Sequence, residues 1–270
     1  MDASHHTIAA MTASHHLWDR AAGLVAVDSR RFPEKPALPT GLPSVKELFD
    51  FMRDAELRFE TLRMRIVEVS QTARGEQAVE TVVQIRHPGH ARVTTSQPGA
   101  GRTGDYEIWI ADGDIVRTYA SKHKLGTQRP IRNRPRGLED RDLPGSAKVY
   151  EPLTALPMET LPETFVHPAG YCQNVLSTGE CQVLGQEVVR GRETIGLLSR
   201  HPRTTEMEAD RPDYAVRIAV DRDTGIIVRL TETTGAGSTR DAEVVDLEPD
   251  AVLQPTTFDF VFPTGTTMLY

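Results

Sequence analysis

The stretch from Pro212 to Leu247, PDYAVRIAVDRDTGIIVRLTETTGAGSTRDAEVVDL, predicts three β-strands in succession. Apolar residues alternate with other residues from Tyr214 to Val220, which is the period of a strand with one buried face. Two short turns that contain glycine, at 221–225 and 235–238, lead into the second and third strands. Because turns this short join antiparallel neighbours, the stretch predicts an antiparallel sheet, and we expect the rest of the chain to extend or cover it.

Composition limits the classes of protein that the chain can belong to. It has 270 residues, 39% of them hydrophobic, which is enough for one large β-rich domain or two modest ones. A formal net charge of −7 disfavours a nucleic-acid-binding protein. No apolar run approaches the roughly 20 residues that span a bilayer, and no secretory leader is recognisable. As written, the sequence predicts a cytoplasmic protein, although a start chosen downstream of a lost leader would look the same.

Two regions are predicted, a poorly ordered extension at 1–43 and a single domain at 44–270. The domain begins with a helix from Ser44 to about Phe59, because Ser44 and Glu47 have the spacing of a capping box. An apolar stripe along this helix predicts that it docks on the sheet. Alternating apolar residues predict strands at 62–70, 78–86 and 91–96, and two turn sequences predict the hairpins 106–119 and 182–201.

The remaining segments are a helix at 168–176, a last strand in which Phe258, Phe260 and Phe262 alternate, and a long connection at 121–166. Six prolines keep this connection from being one helix, and loops of such length are commonly lids or flaps. Its basic part is either a surface for phosphate, carboxylate or a partner protein, or a solvated loop. The arginines of that part are Arg129, Arg132, Arg134 and Arg136.

The sequence contains no complete motif for catalysis, a cofactor or a metal, and we expect a protein that is not an enzyme. Residues 99–104 match G-x-G-x-x-G, but a strand follows them where the dinucleotide motif requires a helix. His87 and His90 have no acidic or cysteine partner nearby, so no metal site is predicted. Whether Cys172 and Cys181 are bonded stays open: an oxidising compartment would allow a disulfide between them, and in the cytosol they stay thiols.

The order of these elements along the chain resembles that of a known group of proteins. A helix leads into a β-meander, the hairpin around Asp112-Gly113 follows, and a long connection carries a helix. The hairpin around Arg190-Gly191, the unit Val220-Asp-Arg-Asp-Thr-Gly225 and the closing Phe-x-Phe-x-x-Pro-x-Gly at 258–265 complete the series. The order resembles the LolA-like superfamily, which includes lipoprotein carriers, RseB/MucB sigma-factor regulators and LprG-type lipid binders. The style rich in arginine and aspartate resembles actinobacterial members.

The resemblance implies an α+β, mainly antiparallel fold, an unclosed and curved β-barrel with helices plugging its concave face. It also implies non-enzymatic binding of a lipid, an acyl chain or another hydrophobic ligand in an apolar cavity, as in outer-membrane lipoprotein carriers. The alternative is an RseB/MucB-like module that regulates a partner or membrane protein through the arginines at 129–136. Members of the superfamily are exported, which sets them apart from this leaderless sequence. The candidate cavity-lining residues are Leu48, Phe49, Met52, Trp109, Tyr119, Phe165, Leu176 and Phe260.

Overall fold

The computed structural model describes residues 38–73, 75–98, 104–131, 152–203, 213–235 and 237–269. By its contacts the chain divides into residues 1–37 and residues 38–270, and the described ranges belong to the second unit. Within them twelve strands form one sheet. The strands are β1 (Thr61–Thr72), β2 (Gly75–Arg86), β3 (His90–Ser96), β4 (Tyr106–Asp112), β5 (Ile115–Ala120), β6 (Leu125–Pro130), β7 (Glu180–Val189), β8 (Arg192–Arg200), β9 (Tyr214–Asp221), β10 (Ile227–Thr234), β11 (Gly237–Pro249) and β12 (Thr267–Leu269).

The strand order across the sheet is β12-β6-β5-β4-β3-β2-β1-β11-β10-β9-β8-β7. All neighbours are antiparallel except β12 and β6, which pair in parallel over three residues. The sheet does not close, because β12 and β7 lie at its two opposite edges. The predicted fold class, mainly antiparallel α+β with an unclosed sheet, is therefore confirmed.

The predicted meander is β9, β10 and β11, and hydrogen bonds to one carboxylate hold its first turn. The carboxylate of Asp221 accepts hydrogen bonds from the backbone N–H of Thr224 at 2.8 Å and from its hydroxyl at 2.7 Å. Gly225 follows with a φ of +78°, which a residue with a side chain adopts only with strain. These contacts close the turn, so that β10 runs back along β9.

Three α-helices lie in the described ranges: α1 (Val45–Arg53), α2 (Leu161–Val166) and α3 (Pro168–Asn174). The predicted capping box at the start of α1 is present. The Ser44 hydroxyl accepts from the N–H of Glu47, and the Glu47 carboxylate accepts from the N–H of Ser44. The helix ends at Arg53, earlier than predicted, and one turn of 3-10 helix at Ala55–Arg58 continues it. None of the helices in the described ranges is long and apolar enough to span a bilayer.

The apolar core lies between these helices and one face of the sheet, called here the helix-covered face. Directly paired residues share a face, and Met64, Val83 and Val93 are paired in a row across β1, β2 and β3. All three are buried in one cluster with Leu48 and Met52 of α1. The buried strand residues of this cluster come from β1–β3 and β7–β11.

Two predictions about chain path were wrong. The connection 121–166 is not irregular throughout, because it contains β6 and α2. The alternating phenylalanines do not form a strand either. They lie in a segment, residues 250–266, that crosses the face opposite the helices and is called here the C-terminal strap. Phe258, Phe260 and Phe262 turn towards that face, whereas Val261 is 87% exposed. Alternating apolar residues indicate that one side of a segment is buried. In the strap that side is buried because it packs on a face of the sheet, and the segment itself is not a strand.

Candidate functional site

The predicted lining residues do not form one group, since the structure divides them between the two faces of the sheet. Adjacent residues of a strand point to opposite faces, and Trp109 lies on the helix-covered face, paired with Val93. Tyr119 is paired with Ile108 and lies on the opposite face under Phe260 of the strap. The residues that belong to or pack against the apolar core are Leu48, Phe49, Met52, Trp109, Phe165 and Leu176.

Only part of that group keeps exposed surface. Leu48, Met52, Phe165 and Leu176 are all 0% exposed, as expected of core side chains. Phe49 and Trp109 are half-buried and pack at the margin of the core. A ligand that reaches the core without displacing a helix therefore meets the margin first, and ligand contact by the whole predicted group stays a prediction.

Trp109 is the last residue of its cross-strand row that packs against the apolar core on the helix-covered face. It belongs to the same cross-strand row as Val93, and the row continues beyond it to Thr118 of β5 and Thr127 of β6. Both threonines are half-buried, and their hydroxyl oxygens lie 2.7 Å apart. The row thus passes from apolar core to an indole and then to hydroxyls, an arrangement that suits an apolar molecule with a polar end.

A charged cluster lies at the far end of the helix-covered face, beside α3. Arg240 is 2.6 Å from Glu68 and 3.5 Å from Glu232, so its charge is matched by carboxylates. Burial, with Glu232 nearby, raises the pKa of the Tyr171 hydroxyl of α3, which is neutral at physiological pH. This cluster leaves no net positive charge with which to hold an anionic head group.

A second polar group is buried where α2 meets α3, and sequence reasoning missed it. We call Glu56, His87, Thr154 and His167 the histidine cluster. His167 Nε2 lies 3.3 Å from Glu56 Oε2, and their side chains are 6% and 2% exposed. His87 Nδ1 lies 2.7 Å from Thr154 Oγ1, although the two residues are 67 positions apart along the chain. Contacts between such distant positions leave no local motif that could reveal them.

Burial sets the protonation state of His87. Desolvation lowers the pKa of His87 to about 4, an effect that the nearby Glu56 carboxylate offsets only in part. The imidazole is therefore neutral at physiological pH. Among the described residues, its buried Nε2 atom has no hydrogen-bond partner, and neither has either ring nitrogen of His167.

The arrangement offers no evident catalytic chemistry. His167 does sit beside a carboxylate, but both groups are buried in the interior and not at the wall of a cleft. Burial raises the pKa of the Cys172 thiol, which disfavours the nucleophilic thiolate. Cys172 and Cys181 are both free. Over the described ranges, no three His, Cys, Asp or Glu side chains are grouped so that they could hold a metal ion.

A cavity of about 180 Å³ lies elsewhere, under the tip of the β7–β8 hairpin. Valine side chains and two arginines line it, but the arginines are already paired: Arg190 with Glu243 and Arg192 with Asp221, each at 2.5 Å. It contains none of the predicted lining residues and, with its charges matched, has no feature that selects an anion.

The predicted partner surface is described only in part. Arg129 is an exposed residue of β6. The other three arginines, Arg132, Arg134 and Arg136, lie outside the described residues, as do 99–103 of the glycine-rich sequence. The interpretation of the basic segment as a partner or head-group surface stays a prediction.

Comparisons with known proteins give likenesses in structure but none in sequence. No family model matches the chain, and no curated protein matches it. Among solved structures it is similar to an uncharacterised conserved protein from Thermus thermophilus, with 11% identity and a TM-score of 0.46 over 84% of this chain and 99% of that one.

It is also similar to MucB, with 15% identity and a TM-score of 0.46, over 80% of this chain and 62% of MucB. A LolA superfamily protein from Nitrosomonas europaea matches with 10% identity and a TM-score of 0.33, over 81% of this chain and 98% of that one. The matched structures thus include MucB and a protein of the LolA superfamily. Likeness at this level carries no information about a binding site.

Proposed function

We propose that the chain is a non-enzymatic binding protein for an acyl chain or another elongated apolar ligand. The ligand lies on the helix-covered face at the margin of the apolar core, against Trp109. The observation that carries this proposal is the half-buried Trp109. It continues the buried row of Met64, Val83 and Val93 towards the β12 edge of the sheet.

The chemistry of this row favours an apolar ligand with a polar end. An indole supplies a large apolar surface, and each methylene group buried against such a surface contributes about 0.8 kcal/mol. Thr118 and Thr127, next in the row, offer hydroxyls that donate or accept hydrogen bonds without adding charge. Binding of this kind needs no reactive group.

Intrinsic fluorescence tests the proposal directly, because Trp18 and Trp109 are the two tryptophans of the chain. In a Trp18→Phe background, Trp109 is the sole indole emitter. Titration with palmitate below its micellar concentration should shift Trp109 emission to shorter wavelength and saturate, since the ligand replaces water around the indole. An emission spectrum that does not change, together with an empty protein by native mass spectrometry, would contradict the proposal.

The matched variants use one aromatic residue from each face. We expect Trp109→Leu to weaken binding of a fluorescent fatty-acid analogue about tenfold, or about 1.4 kcal/mol, because it removes part of the apolar wall. Tyr106→Leu changes a half-buried aromatic of the opposite face and should leave the affinity unchanged. Equal losses in the two variants would place the ligand elsewhere.

A further inference from the structure

The histidine cluster connects the segments that cover the core to the sheet. Glu56 belongs to the 3-10 turn after α1, His87 follows β2, and His167 lies between α2 and α3. Thr154 lies in the segment 152–156, which leads towards α2 and contributes the buried Leu156 to the core. Four separate parts of the chain therefore meet at these side chains.

Backbone contacts at the same place strengthen the connection. Glu56 Oε2 also accepts a hydrogen bond from the N–H of Leu153 at 2.8 Å. The Thr154 hydroxyl accepts from the N–H of Gly89 at 2.9 Å while it contacts His87. The ring of Phe59 stacks on the other side of His87, with centroids 5.1 Å apart. The segment 152–154 is thus held to the sheet mainly by polar groups in an apolar setting.

Charge balance in this cluster depends on protonation. The Glu56 carboxylate lies 3.3 Å from the His167 ring and only partly offsets the burial of His87. A positive charge on His87 would be buried with a threonine hydroxyl, and not a carboxylate, as its hydrogen-bond partner, which is costly in an apolar environment.

Other charged groups on the adjoining elements are engaged elsewhere. Arg58 donates to the carbonyl oxygens of Phe51 and Thr224, and Asp54 pairs with Arg53. Glu163 of α2 is the exception: it accepts from the N–H of Glu159 at 2.6 Å and also interacts electrostatically with His167.

The same holds for the residues that flank His87. The Arg86 guanidinium lies over the ring of Phe258, and His90 Nδ1 contacts the carbonyl oxygen of Pro88 at 3.1 Å. Glu60, the next acid after Glu56 along the chain, is exposed. Of these groups, Glu56 and Glu163 are the carboxylates that interact with the buried imidazoles, Glu56 with His87 and Glu163 with His167.

We propose that the histidine cluster is an acid-sensitive latch, whose protonation releases α2, α3 and the segment 152–156 from the sheet and opens the apolar core. Opening returns His87 to water, where it accepts a proton without penalty. If the function proposed above is correct, the latch also controls release of the apolar ligand, and that part of the inference rests on the proposed function.

The expected size of the effect follows from His87 alone. Its pKa is about 4 in the closed form and 6.5 when exposed. Acid therefore favours the open form between these values, and the ratio of open to closed protein should rise about 20-fold from pH 7 to pH 5. Below about pH 4 the closed form is protonated too, and the rise should level off.

Cys172, a residue of α3, can report the opening. It is 4% exposed, and its Sγ atom lies 3.9 Å from Sδ of Met52 in α1, so a reagent reaches it only when α3 moves away. In a Cys181→Ser background it is the only thiol of the full chain. We would measure its labelling by 4,4′-dithiodipyridine, which reacts with thiols in acid, and divide each rate by that of the urea-unfolded protein at the same pH. The expected result is an increase of about 20-fold from pH 7 to pH 5.

Three variants distinguish the latch from a general effect of acid. His87→Asn keeps a polar atom near the position of Nδ1 but does not titrate, and should abolish most of the increase. His90→Asn changes the histidine three residues along and should leave the increase intact. Thr154→Val keeps both histidines of the cluster and should label faster than the parent already at pH 7.

Three results would overturn the latch. One is an undiminished increase in His87→Asn, and another is parent-like labelling of Thr154→Val at pH 7. The third is labelling whose urea dependence equals that of global unfolding, since a latch opens only part of the structure. All these measurements use ligand-free protein. Faster labelling in acid without any palmitate binding at pH 7 would therefore retain the latch and reject the proposed function.

Discussion

At the scale of single residues, Asp221 shows how a turn sequence acquires a buried charge. Its carboxylate is 0% exposed, holds the turn through Thr224, and lies 2.5 Å from Arg192 Nε. Asp221→Ala should lower the free energy of unfolding by about 3 kcal/mol, because it removes several hydrogen bonds and leaves Arg192 without its main partner. Urea denaturation at pH 7 measures this loss.

Asp223 provides the matched control in the same turn. Its side chain is 87% exposed and lies 3.5 Å from Arg192, so Asp223→Ala should change the free energy of unfolding by less than about 0.5 kcal/mol. Comparable losses in the two variants would mean that burial of the Asp221 carboxylate is not what stabilises the turn.

At the scale of elements, the C-terminal strap depends on a glycine in β6. A Cβ atom at Gly126 would lie 2.6 Å from the Phe262 ring and 2.9 Å from Thr266 Cγ2. We expect Gly126→Ala to destabilise the protein by about 1–2 kcal/mol, because the strap must shift away from the sheet. Urea denaturation is again the measurement, and a second change of Phe262→Ala should recover part of the loss.

Gly170, in α3, serves as the opposite case. A Cβ atom there meets nothing within 4 Å, and alanine is the better helix former. Gly170→Ala should therefore leave stability unchanged or raise it by up to about 1 kcal/mol. Destabilisation of similar size in both variants would show that the close approach of Phe262 is not the cause.

At the scale of the whole molecule, His87 should make global stability depend on pH. Its pKa is lowered to about 4, so the unfolded chain, with a value of 6.5, binds more protons between the two values. Stability therefore rises with pH, and it is lost as the pH falls from about 6.5 to about 4. From pH 7 to pH 5 the parent should lose about 2 kcal/mol more than His87→Asn does. Urea denaturation of both proteins at the two values checks this, and parallel losses would refute it.

The sequence alone determined the parts of this protein that depend on neighbouring residues. The capping box at Ser44, the hairpins at Asp112-Gly113 and Arg190-Gly191, and the meander of β9–β11 are all present where local patterns predict them. Each rests on contacts between residues close along the chain or on the period of a strand. Such signals suffice for the order and direction of most strands.

Only the tertiary structure decided which apolar residues share a face and which polar groups meet in the interior. Apolar alternation says that one side of a segment is buried but not by what, so Phe258–Phe262 resembled a strand and is part of a strap. Because the sequence does not show which face buries an apolar residue, Tyr119 and Trp109 were both predicted to line one cavity, although they lie on opposite faces. Glu56, His87 and His167 meet because distant segments pack together, and no local spacing records that contact.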